Sequence, residues 1–378
     1  MRAYVLTDAR LASLAGRFVW LSIDTEKARN AAFLEAYPID VWPTLLVIDP
    51  ADGRAVLRWT GTATASEVER LAEAGRRAIR AGRGDAADEA LARADRLAAA
   101  RQAAEAAQAY REAIAKGGPG WSGRARAAEA VVQWVSLAGD ARACAAAARE
   151  VLPLLPSGPR RGRAAGQGLS CAVEIEDPRA RRDALAALVP AARAAVTAPG
   201  VLADDRSALY EALAGARAAL GDEAGARNAA RRWLAFLEAE AGRARTPAER
   251  AAFDGQRVAA ALRLGAPSRA LPPLLATARA FPGDWVTENR LALVYLRLGR
   301  PADALAAADR AVASGEGPRA LGARIRRAEA LVALGRRADA RETLEEMILR
   351  AEALPEAVRP RQSVARARAL LHDLSAAP

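Results

Sequence analysis

The sequence predicts a short α/β segment followed by a long all-α array of helical hairpins. Three observations carry that reading. A proline-led run, Val41-Trp42-Pro43-Thr44-Leu45-Leu46-Val47-Ile48, turns at Asp49-Pro50-Ala51-Asp52-Gly53 into the alternating Arg54-Ala55-Val56-Leu57-Arg58-Trp59, as paired strands do. From about Asp85 onward the residues are those of helices, dominated by Ala, Leu, Arg and Glu. Within that stretch Leu-Gly recurs at Leu220-Gly221, Leu264-Gly265, Leu298-Gly299 and Leu334-Gly335, with Ala138-Gly139 as a weaker copy.

Composition narrows the function classes. At 378 residues the chain exceeds one ordinary core, and it is 52% hydrophobic but only 4% aromatic. Its 56 basic and 45 acidic residues leave a net charge of +11, nearly all from arginine. Such a balance can attract nucleic acid. Here the arginines are spread along the chain beside Glu and Asp, without a dense block or interleaved aromatics, so nucleic acid is not the expected partner. No run of about 18 apolar residues exists, so no membrane span is predicted. The first residues lack the apolar core of a signal peptide, and as written the chain is expected in the cytoplasm. Cys144 and Cys171, set among alanines, are expected as small buried packing residues, with a disulfide between them the lesser alternative.

The front elements read in order. Helix is predicted over Ala3–Ala15, a largely buried strand over Phe18–Asp24, and a short helix from Asn30 to Tyr37, halted by Pro38. A strand then covers Thr44–Ile48, with its partner over Arg54–Trp59. Thr64-Ala65-Ser66-Glu67 is a capping box opening a helix to about Ala81. Proline cannot donate to a ladder, so Pro43 belongs at a strand's first residue, where an X-Pro bond can also be cis.

This α-β-α-β-β-α order, with Trp42-Pro43-Thr44 leading into a strand, resembles the thioredoxin family from midway through its first long helix. The resemblance covers residues 1–82. It implies a cis-proline loop at Trp42, Pro43 and Thr44, but the first core strand and the Cys-x-x-Cys turn are missing. Without those cysteines Pro43 has no redox partner and dithiol exchange is not expected. The absent strand would lie between those at Phe18–Asp24 and Thr44–Asp49, leaving inward edges bare. That cost suggests an N-terminally truncated sequence, whose upstream part would supply the strand and could carry an export signal to the periplasm; the alternative is a genuine relic, its two strands pairing directly or a partner filling the gap.

Over residues 83–378 the glycine stops repeat, at 265, 299 and 335 in steps of 34 and 36 residues. Small residues follow five positions later at Cys144, Ala226, Ala270, Ala304 and Ala340. The run Leu291-Ala292-Leu293-Val294-Tyr295-Leu296-Arg297-Leu298-Gly299-Arg300-Pro301-Ala302-Asp303-Ala304 resembles a tetratricopeptide repeat. Glycine ends the first helix where φ is positive, proline can open the second, and alanines let the pair approach closely. Ala106, Tyr110 and Ala113 suggest a first hairpin, and one without a glycine should turn near Asp177-Pro178. Six or seven hairpins are expected, with Pro156–Gly168 as a loop.

The chemistry-bearing residues are few. His372 is the single histidine, no His/Cys cluster has metal spacing, and no glycine-rich phosphate loop exists, so neither metal nor cofactor is expected. What an array offers is a groove lined by the first helix of each hairpin. By the tetratricopeptide resemblance Asn289, Leu293 and Leu296, then Ile325, Glu329 and Val332, would face a bound protein segment. Arg290 and Arg324 stand ready to fork a carboxylate. The expected function is a protein–protein interaction module with a redox-inactive thioredoxin-like domain. The alternative is a thiol–disulfide oxidoreductase whose active-site turn lies outside this sequence.

Overall fold

A computed structural model describes residues 5–39, 41–80 and 86–376. They form two compact units, residues 5–19 with 41–233 and residues 20–39 with 234–376. In chain order the helices are α1 (Ala31–Ala36), α2 (Ala65–Arg80), α3 (Ala86–Ala99), α4 (Ala103–Gly117), α5 (Arg124–Leu137), α6 (Ala141–Val151), α7 (Pro159–Glu174), α8 (Pro178–Val196), α9 (Ala203–Ala219) and α10 (Glu223–Arg243). Then follow α11 (Pro247–Ala251), α12 (Asp254–Leu264), α13 (Leu271–Ala280), α14 (Trp285–Arg297), α15 (Pro301–Ser314), α16 (Gly322–Ala333), α17 (Arg337–Glu352) and α18 (Arg361–Ala376). Among the described residues the chain is mostly helical, most helices packing against their neighbours in sequence, with one two-stranded sheet.

In the first unit β1 (Thr44–Ile48) pairs antiparallel with β2 (Ala55–Thr60), Leu45 opposite Trp59 and Val47 opposite Leu57. The capping box at the start of α2 is formed. The Thr64 amide donates to Glu67 Oε2 at 2.9 Å and the Glu67 amide to Thr64 Oγ1 at 3.3 Å. Val5, Leu11, Leu14, Leu57, Trp59, Val68 and Leu71 bury together between sheet and helix.

The front departs from the thioredoxin-like expectation. Phe18–Asp24 is not a strand, and Val19 and Leu21 are 88% and 70% exposed. Among the described residues the sheet has two strands and this segment is neither of them; an apolar run alone does not make a strand. The helix expected over Ala3–Ala15 is a 3₁₀ turn at Ala9–Leu14, with residues 3 and 4 outside the described residues. The short helix α1 falls in the second unit, so the expected order does not pack as one thioredoxin-like body. Nor does the division fall at residue 82, since β2 and α2 share a unit with the first helical pairs.

A buried ion-pair network makes that joint. Arg163 on α7 reaches Glu67 at 2.8 Å and Asp205 on α9 at 3.3 Å, and also pairs with Glu129 on α5. Arg160 pairs with Glu129 at 2.7 Å and Glu67 at 3.3 Å. Both guanidinium groups lie against the Trp59 ring, 5.6 and 5.7 Å from its centroid. Thr62 Oγ1 donates to Asp205, and Gln133 on α5 donates to the Thr60 carbonyl.

Two further expectations are corrected here. Pro156–Gly168 is not a loop throughout, because α7 begins with Pro159 at a position whose missing N–H costs nothing. Within it Gly168 serves close packing. Cys144 on α6 and Cys171 on α7 are not free packing residues but a disulfide, with Cα atoms 6.0 Å apart. One turn along, a Cβ on Gly168 would sit 2.2 Å from the Ala148 Cβ. The stripe Cys144, Ala148 against Gly168, Cys171 therefore brings the two backbones within bonding range of their sulfurs. Gly168→Ala should destabilise the first unit by about 1–3 kcal/mol in urea unfolding, against the usual gain from alanine in a helix. An unchanged or raised midpoint would remove the close-approach argument.

The hairpin corners share one closure. In α5/α6, α9/α10, α14/α15 and α16/α17 a glycine with positive φ stands second after the first helix, at Gly139, Gly221, Gly299 and Gly335. The small residues five positions on from the glycine stops are all 0–1% exposed. In α3/α4 the same place is held by Arg101, at φ 62, the one non-glycine with positive φ among the described residues.

Candidate functional site

In the second unit the first helices of successive pairs are α12, α14 and α16. Asp254, at the start of α12, is 1% exposed, accepting from Arg257 at 3.1 Å and from Thr277 Oγ1 of α13 at 2.6 Å. Asp284 caps α14 through the Thr287 amide at 3.1 Å. Glu288, 8% exposed, takes Arg310 of α15 at 2.8 Å. These pairs fix the helices on which the candidate residues stand.

Arg290 of α14 reaches across to α12, its Nη2 being 2.9 Å from where a Cβ on Gly255 would sit. A side chain there would push the end of the guanidinium aside. Among the described residues Arg290 forms no ion pair. Burial holds its pKa below the ordinary arginine value, only partly countered by the charges of Asp254 and Asp284. On the same helix the Asn289 Oδ1 is buried without a hydrogen-bond partner, as are Gln256 Oε1 on α12 and Arg324 Nε on α16. Arg324 touches Glu346 at 3.7 Å, and burial lowers its pKa too.

The remaining sequence candidates divide. Leu293 and Leu296 are half-buried, and Val332 is 39% exposed. Ile325 does not face a groove: it is 4% exposed and packs in the core with Leu331, Leu344 and Met347. Glu329 is already engaged by Arg326 at 2.7 Å and by Arg366 of α18.

Sequence reasoning missed Gln256 and Arg326. Gln256, Arg290 and Arg326 each stand nine residues before Gly265, Gly299 and Gly335, so the repeat spacing itself could have found them.

In the first unit the Trp42–Pro43 peptide is cis, and Trp42 is 55% exposed. Thr44 Oγ1 donates to the Val41 carbonyl at 2.6 Å, and the Gly61 amide to the Pro43 carbonyl at 2.8 Å. The two sulfurs are joined to each other on α6 and α7, with Ser136 Oγ 3.6 Å from that of Cys171. Among the described residues no cluster of three or more His, Cys, Asp or Glu is placed to hold a metal, and no helix is long and apolar enough to cross a membrane.

No protein-family model matches the chain, and no curated protein does. Solved structures do match. A tetratricopeptide repeat protein from Parabacteroides merdae is 12% identical, covering 75% of this chain and 100% of its own, with a TM-score of 0.45. The TPR2AB domain of yeast Sti1 in complex with a pHSP90 is 16% identical over 76% and 98%, with a TM-score of 0.30. A Rap protein complexed with Competence and Sporulation Factor is 14% identical over 80% and 79%, with a TM-score of 0.36. At such values the overlays are too loose to lend this chain a function.

Proposed function

We propose that this chain is a protein-interaction module whose second unit binds an extended, acidic segment of another protein along α12, α14 and α16. One observation carries the reading: Arg290, half-buried against Gly255 and without an ion-pair partner among the described residues, stands beside the orphaned Asn289 carbonyl. A desolvated guanidinium and an amide with an open acceptor suit a peptide, which brings carboxylates and backbone N–H groups together. Arg324 supplies a second cation one pair further on. The half-buried Leu293 and Leu296 and the exposed Val332 offer apolar contacts to alternate side chains. The reading assigns no thiol chemistry, because the chain's two cysteines are bonded together and buried.

The test is selection of peptides from a random library on the full-length protein, followed by titration of the selected sequences. Selected peptides should be acidic, and Arg290→Gln with Arg324→Gln should weaken them by about tenfold or more. Peptides that bind the double variant as tightly as the parent, or a library that yields none, would falsify the proposal.

A further inference from the structure

We propose that residues 24–30 are a built-in competitor for the groove: they seat Glu26 at the N-terminal edge of α16, and an acidic partner segment has to lift them away. The inference rests on the groove reading above and adds its regulation.

Glu26 is docked within the second unit by several contacts at once. Its Oε2 accepts from the Arg319 amide at 2.8 Å, in the 3₁₀ turn Pro318–Leu321 that leads into α16, and its Oε1 lies 3.8 Å from Arg319 Nε. Lys27 Nζ reaches Glu316 at 2.9 Å. Gly317, at φ 87, makes the close approach possible. A Cβ there would sit 2.6 Å from the Glu26 carbonyl oxygen and 2.7 Å from the Glu26 Cβ, neither of which can swing aside. The segment keeps its own turn, the Glu26 amide donating to Asp24 Oδ1 at 2.9 Å and Asn30 Nδ2 to the Asp24 carbonyl at 2.8 Å.

This seat adjoins the groove. Arg319 is close enough to Arg290 of α14 for its charge to help lower the Arg290 pKa. The same loop meets α14 at its first residue, a Cβ on Gly315 standing 3.6 Å from the Trp285 Cβ. Glu26 therefore brings a carboxylate to the electropositive end of the surface that the partner is to occupy.

The two ends of the segment are held unequally. Downstream, α1 buries Leu34 to 4% exposure and lies against the turn Glu356–Val358. At Glu26 and Lys27 the contacts are polar, and upstream Leu21 is 70% exposed. Polar contacts at a surface exchange readily with water or with a competing carboxylate, whereas a buried leucine does not. Residues 24–30 can leave their seat as a flap hinged at α1, without unfolding the unit.

The chain has two lysines, Lys27 in the flap and Lys116 in the last turn of α4, so lysyl endopeptidase reads the flap against an internal reference. Peptides selected as above should bind Glu26→Arg about fivefold more tightly than the parent, because the competitor no longer seats. Saturating peptide should speed cleavage of the parent after Lys27 and leave cleavage after Lys116 unchanged. In Glu26→Arg, cleavage after Lys27 should be fast with or without peptide. Equal affinity in the two proteins, or a bound peptide that leaves Lys27 as protected as before, overturns the competitor while the groove stands. A library that yields no peptide overturns the groove and the competitor with it. A lowered thermal midpoint in Glu26→Arg also overturns the competitor, by showing that the segment holds the unit together.

Discussion

Arg163→Met should cost the first unit about 3–5 kcal/mol, the largest effect of any single substitution considered for this chain. Arg163 and Arg160 face Glu67, Glu129 and Asp205, whose side chains are 3–6% exposed. Methionine fills the volume but leaves three buried carboxylates to one guanidinium. Urea unfolding followed by circular dichroism at pH 7 would measure the loss. A change below about 1 kcal/mol would mean that the network behaves as a solvated surface cluster.

The pH dependence has a definite sign. Burial alone would push the Glu67 carboxyl up, but Arg163, Arg160 and the Thr64 amide hold it below the ordinary glutamate value. Its contribution is therefore complete above the unfolded value of about 4.3 and is lost as pH falls through the lower folded one. Asp205 runs the other way. Burial raises it, Arg163 and Thr62 only partly offset this, and its protonation in the folded state returns stability as pH falls. In Arg163→Met both Glu67 and Asp205 lose a partner, so the deficit measured at pH 7 should shrink by pH 5.

Removing the disulfide is the second large effect. With 27 positions between Cys144 and Cys171, Cys144→Ala/Cys171→Ala should lose about 3 kcal/mol, chiefly by freeing the unfolded chain. Dithiothreitol should lower the urea midpoint of the parent to that of the double variant and leave the variant unmoved. A parent indifferent to reductant would show that the sulfurs are not joined in solution.

Local signals with a mechanism were legible in the amino acids. Pro43 marked the residue before β1, Thr64 and Glu67 capped α2, and the glycine stops placed the corners at 139, 221, 265, 299 and 335. Asp177 caps α8 at the turn expected without glycine, its side chain accepting from the Ala180 amide at 2.6 Å. What failed was whatever depended on a partner distant in sequence. Phe18–Asp24 has strand composition but is not part of the sheet among the described residues. Pro159 and Gly168 read as loop residues, yet Pro159 opens α7 and Gly168 lets it lie close against Ala148 of α6. The disulfide was undervalued because alanine neighbours hide the facing stripe that positions the sulfurs. Ile325 was assigned to the groove by the tetratricopeptide resemblance, and it packs in the core with Leu331, Leu344 and Met347 instead. Arg101 escaped notice because a corner without glycine carries no punctuation.

The Cys144–Cys171 bond has a practical corollary. With both native sulfurs occupied and enclosed, alkylating reagents and small disulfides should find nothing to modify while the protein stays oxidised and folded. A cysteine introduced at any chosen surface position would then be the sole reactive handle. Fluorophores or spin labels could be attached there one at a time, without first removing the natural pair.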